Sequence, residues 1–80
     1  MKILYSKTSI KYLQGLEQKL TKKIVEAIDK LPSEGDIKRL KGKKAMNVFR
    51  LRCGKHRIIY EMEEEILKIL KIDTRGDVYK

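Results

Sequence analysis

Eighty residues suffice for one domain, 1–80, with a modest core, and an apolar share of 41% with one Phe and no Trp makes that core aliphatic. No apolar run approaches the roughly 20 residues of a membrane span, nothing resembles a secretory leader, and the lone Cys53 excludes an internal disulfide, so a cytoplasmic setting without membrane contact is expected. The net charge of +9 is localised: residues 37 to 60 carry nine Lys or Arg and no Asp or Glu, whereas the rest of the chain has eleven of each sign. The nine are Lys38, Arg39, Lys41, Lys43, Lys44, Arg50, Arg52, Lys55 and Arg57. A contiguous basic stretch of this kind suits a polyphosphate backbone or a highly acidic protein, and its bland alternative is a solvated face.

Lys2 to Tyr5 is β-favouring and long enough for one strand. Ser6 or Thr8 then offers a helix cap. Ile10, Leu13, Leu16, Leu20, Ile24, Ala27, Ile28 and Leu31 recur every three or four positions, which places them on one helical face. Gly15 within that run predicts a kink, or a break into two antiparallel helices near residues 15 to 19. Pro32 ends the helical region. Residues 32 to 46, rich in Lys and Gly, read as a connector without secondary structure, pinned to the core by Ile37 and Leu40.

The second half reads as strands. Asn47 to Cys53 alternates, with Phe49, Leu51 and Cys53 on one side and Val48, Arg50 and Arg52 on the other. Gly54-Lys55 supplies a hairpin turn. Arg57 to Met62 returns with Ile58, Tyr60 and Met62 on one face and Arg57, Ile59 and Glu61 on the other. Glu63 to Glu65 reads as a solvated turn. Ile66 to Asp73 is apolar on both faces, as in a strand covered on both sides or near a sheet centre. The expected fold is therefore α+β, in the order β-α-α-β-β-β, with a helical hairpin on one face of a small, largely antiparallel four-stranded sheet. The other face gathers Arg50, Arg52 and Arg57, whose mutual repulsion an anionic ligand relieves.

One His and one Cys do not make a usual zinc site, no acidic spacing suits magnesium, and no phosphate loop or dinucleotide fingerprint occurs, so no metal or cofactor is expected. Cys53 falls on an apolar strand face and reads as a core thiol. His56 beside the turn is either an acid–base group or an exposed bystander. Tyr79 is either a packing anchor or a platform for base stacking. Metal-free cleavage of RNA stays open to such a chain. The 2′-hydroxyl of RNA is the nucleophile, and the protein need only align it, stabilise the added negative charge and assist proton transfer.

Three stretches together, Asp36-Ile37-Lys38-Arg39-Leu40-Lys41-Gly42, Phe49 through Tyr60 and Arg75-Gly76-Asp77-Val78-Tyr79, resemble the RelE/ParE toxin superfamily. Its RelE branch implies a ribosome-dependent endoribonuclease that enters the A site and cuts messenger RNA. Arg50 then matches a phosphate-stabilising position and Arg57 the return-strand arginine on the scissile phosphate. Arg75 matches the arginine that protonates the leaving group, and Tyr79 the tyrosine that stacks on or orients the base. Well-studied bacterial members have a lysine, proposed as general base, where this chain has Val48. Lys55, His56 or a loop lysine then takes that role, or cleavage is weak or absent. The ParE branch implies instead a gyrase inhibitor without RNase activity, and a third reading is an antitoxin-binding module without toxicity. All three imply an acidic antitoxin that folds as it binds.

Overall fold

The computed structural model of the chain describes residues 1–40 and 47–74. In chain order the elements are β1 Lys2–Tyr5, α1 Lys7–Gln14, α2 Gln18–Asp29, β2 Asp36–Arg39, β3 Val48–Cys53, β4 His56–Glu63 and β5 Ile66–Thr74. These strands form one sheet in the order β1-β5-β4-β3-β2, in which β1 runs parallel to its neighbour β5 and the other described pairings are antiparallel. Both helices lie on the same sheet face.

The helical hairpin divides at Gly15. Ser6 caps α1, its Oγ accepting from the Ser9 amide at 3.1 Å. The Gly15 amide closes the last turn onto the Lys11 and Tyr12 carbonyls. The break shifts the phase of the apolar stripe. Leu13, Ile24, Ile28 and Leu31 are buried, while Ile10 and Leu20, expected on the same face, are 43% and 39% exposed. The buried helical residues meet Leu51, Ile58, Tyr60, Leu67, Ile69 and Ile72 from the sheet. Each such side chain contributes about 1.5–3 kcal/mol by leaving water. Phe49 stacks on Tyr60 at 5.5 Å between centroids and packs against the core from β3.

Two further expectations need correction. Residues 36 to 39 are not structureless connector: β2 pairs antiparallel with β3, from Asp36 opposite Arg52 to Arg39 opposite Phe49, so the sheet has five strands among the described residues. Four residues carry too little alternation to announce a strand, and the hydrogen bonds of β3 supply what local propensity does not. Nor is β5 covered on both sides; it lies inside the sheet between β1 and the central β4, the other position that its apolar pattern allows. Its register against β4 slips at one point: Tyr60 lies opposite Ile69 but Ile59 opposite Lys71, which leaves Leu70 as the extra residue of a bulge. Leu67, Ile69 and Ile72 all turn inward as a result, and Leu70 is left 39% exposed. The doubly apolar look of this strand reflects the change of phase. Among the described residues, no helix is long and apolar enough to cross a membrane.

Candidate nucleic-acid interface

Alternation along four strands determines what stands on the face away from the helices. One row runs Asp36, Arg52, Arg57, Asp73 across β2, β3, β4 and β5, and the next runs Lys38, Arg50, Ile59, Lys71. Below these, Val48 lies opposite Glu61, which lies opposite Lys68. The hairpin thus brings Arg50, Arg52 and Arg57 together, as the alternation predicts, and the pairing of β2, which it does not predict, adds Lys38 beside Arg50. Arg52 and Arg57 are direct cross-strand partners, an arrangement of like charges that costs energy unless something anionic intervenes.

Two aspartates intervene. Asp36 reaches Arg50 at 3.7 Å and Arg52 at 4.0 Å, and its side chain is 58% exposed. Asp73 takes both prongs of Arg57: Nε–H donates to Oδ1 at 3.1 Å and Nη2–H to Oδ2 at 2.9 Å. Lys71 adds a second cation 3.5 Å from the same carboxylate. The hydrogen bonds from Arg57, reinforced by the two positive charges, hold the Asp73 carboxyl below the usual carboxylate range despite its partial burial. Arg50 is the most enclosed of the three arginines. Its side chain is 15% exposed, and its buried Nε has no hydrogen-bond partner. A guanidinium largely withdrawn from water with an unmet donor gains from an added oxygen acceptor.

Other candidates lie elsewhere. Arg39 is exposed and pairs across from Phe49, so it points to the helix side of the sheet. His56 also faces that side, edge-on to the Tyr12 ring at 5.9 Å, and Tyr12 in turn hydrogen-bonds Thr74 at 2.7 Å. Lys55 is exposed in the turn between β3 and β4. Cys53 is half-buried, a free thiol packed against the core. Burial raises the Tyr60 phenol above its ordinary pKa, as suits a core residue. Lys41, Lys43, Lys44, Arg75 and Tyr79 lie outside the described residues. Among the described residues, no group of three or more His, Cys, Asp or Glu is placed to hold a metal ion.

Nothing in the local sequence pattern marks Asp36, Asp73 or Lys71 as part of this face. Asp36 immediately precedes the basic stretch, and only the pairing of β2 folds it back onto Arg50 and Arg52. Asp73 meets Arg57 only because of the bulge at Leu70.

Residues 3–79 match the family model described as ParE toxin of type II toxin–antitoxin system, parDE. No curated protein matches the sequence. Several solved structures share the fold. The RelE–RelB complex of Pyrococcus horikoshii aligns at TM-score 0.77 and 26% identity over 94% of each chain. The RelB–RelE antitoxin–toxin complex of Methanococcus jannaschii aligns at 0.76 and 27%, over 95% of this chain and 94% of that one. A YoeB dimer from Staphylococcus aureus aligns at 0.69 and 25%, over 89% and 92%.

Proposed function

The chain belongs to the RelE/ParE superfamily, as a ParE-family toxin of type II toxin–antitoxin systems, and on that premise we propose that it is a metal-independent, ribosome-dependent endoribonuclease that cuts messenger RNA and so inhibits translation. The observation that carries the reading is the convergence of Arg50, Arg52, Arg57 and Lys38 on the sheet face that the helices leave open. Three guanidiniums within two adjacent rows match the spread of charge on a phosphate as the 2′-oxygen attacks it. In this reading Arg50 and Arg57 stabilise that phosphate, Arg52 and Lys38 hold the flanking backbone, Arg75 protonates the leaving oxygen and Tyr79 stacks on the base. RNA supplies the nucleophile, so alignment and charge do most of the work.

Val48 stands on this face where the resemblance places a lysine, and it accepts no proton. His56 lies on the opposite face, which leaves Lys55 and the lysines at 41, 43 and 44 as the better candidates for proton transfer. An acidic antitoxin that folds over the basic face is the proposed protein partner, by likeness to the archaeal complexes.

Purified chain mixed with ribosomes that are translating a defined message tests the proposal. Cleavage in the A site, abolished by Arg57→Ala and by Arg75→Ala in variants that melt like the wild type, supports it. Full activity in both variants overturns the site. A second reading, inhibition of DNA gyrase, is favoured by one residue: Val48 removes the lysine on which the RNase resemblance most depends.

A further inference from the structure

We propose that Asp73 is the positioning residue of Arg57, holding its guanidinium aimed across the open face before any ligand arrives. The inference rests on the reading above, in which Arg57 meets the phosphate. Two parallel hydrogen bonds of 3.1 and 2.9 Å to separate oxygens determine the plane of the guanidinium as well as its position. The carboxylate is itself braced by Lys71. With side chains 30% and 23% exposed, the pair stands mostly out of water. Asp36 contrasts on every count. It is 58% exposed, and at 3.7 and 4.0 Å it lies beyond hydrogen-bond reach of Arg50 and Arg52.

The backbone is built to deliver this contact. Continued without interruption, the pairing of Glu63 with Ile66 through Tyr60 with Ile69 sets Ile72 opposite Arg57. Ile72 is 3% exposed and belongs to the core on the other face. The extra residue, Leu70, advances the register by one and brings Asp73 opposite Arg57 instead. The start of α1 holds that bulge: the Ser6 amide donates to the Ile69 carbonyl at 3.0 Å, and Ser6 Oγ lies 2.9 Å from the Leu70 carbonyl oxygen. The ordering of Arg57 is thus completed during folding, so a ligand meets a cation already aimed.

The test uses the full chain with Asp73→Asn and Asp73→Glu. Asparagine keeps the size but presents an N–H to one of the two arginine donors. Glutamate keeps the charge one methylene further out. Melting curves establish that each variant folds, the Arg57 Nε–H resonance reports its orientation, and colony survival on induction reports growth arrest. Asp73→Asn is expected to shift the resonance, speed its exchange with water and weaken arrest roughly 10- to 100-fold, with Asp73→Glu intermediate in both. Should the Asn variant not fold, the Glu variant carries the same comparison. Arrest at the wild-type level, or an unchanged Arg57 resonance, overturns the positioning role alone. A wild-type chain that arrests no growth overturns the proposed function and this inference with it. Arrest that occurs without message cleavage, yet is lost in Asp73→Asn, removes the RNase reading and leaves the positioning role standing.

Discussion

Asp36 is the loosely held acid of the arginine face, and Asp36→Asn exposes what it does there. At about 4 Å, two unit charges attract by about 1 kcal/mol in water and about 4 kcal/mol near a protein surface. With 58% of its side chain in solvent, Asp36 sits toward the watery limit, and exposed pairs of this kind contribute about 0.2–1 kcal/mol each. Its contacts at 3.7 and 4.0 Å with Arg50 and Arg52 therefore sum to about 1 kcal/mol, which a phosphate must displace in order to bind. Removing the charge is expected to tighten binding of a single-stranded RNA roughly fivefold at low salt. The slope of log affinity against log salt should steepen by up to about 0.7, the value of one added phosphate contact on a single strand. Fluorescence anisotropy of a labelled oligoribonucleotide across a salt series measures both quantities, and a thermal melt monitors the small loss of stability expected as the arginines lose their shield. Unchanged or weaker binding, with an unchanged slope, refutes the idea that Asp36 competes with phosphate on this face.

Other expectations follow from individual contacts. Gly35 has φ +133°, and a Cβ there falls 2.6 Å from Leu51 Cδ1 in the buried core; Gly35→Ala should cost about 1–3 kcal/mol in a urea titration, and a variant as stable as wild type would disprove the close approach. The Asp73 carboxyl titrates below its ordinary value, so the Arg57–Asp73 pair stabilises the fold fully above the unfolded value of about 3.9. That stability fades as pH falls through the lower folded value. Melts between pH 2 and pH 6 should show a loss that is shallower in Asp73→Asn, and identical profiles contradict the pairing. His56→Gln should leave function intact at neutral pH, since the ring packs on Tyr12 behind the sheet; a clear loss of growth arrest would return His56 to the proton-transfer candidates.

The arginine face was legible because it depends only on alternation about a two-residue turn. Arg50 and Arg52 share a parity, Gly54-Lys55 determines the pairing, and Arg57 follows opposite Arg52. The break at Gly15 and the cap at Ser6 were legible for a similar reason, being local. The acids that balance the face were not, because each arrives through a non-local pairing. Asp36 depends on β2, a strand of four residues that exists by virtue of β3. Asp73 depends on a bulge whose signal, adjacent Ile69 and Leu70 followed by Ile72, reads equally well as a strand buried on both sides. The break does not by itself give the angle between the helices: the spacing of three and four puts Ile10 and Leu20 on one stripe with Leu13 and Ile24, whereas the segment between Gln14 and Gln18 rotates one helix against the other and leaves both exposed.

Action on messenger RNA is decided by mapping transcript 5′ ends in cells after induction, alongside trapped gyrase–DNA cleavage complexes. An RNase of this kind leaves new 5′ ends in frame within translated messages, absent from untranslated RNAs and lost with Arg57→Ala. Gyrase-trapped double-strand breaks with messages left intact would contradict the RNase reading.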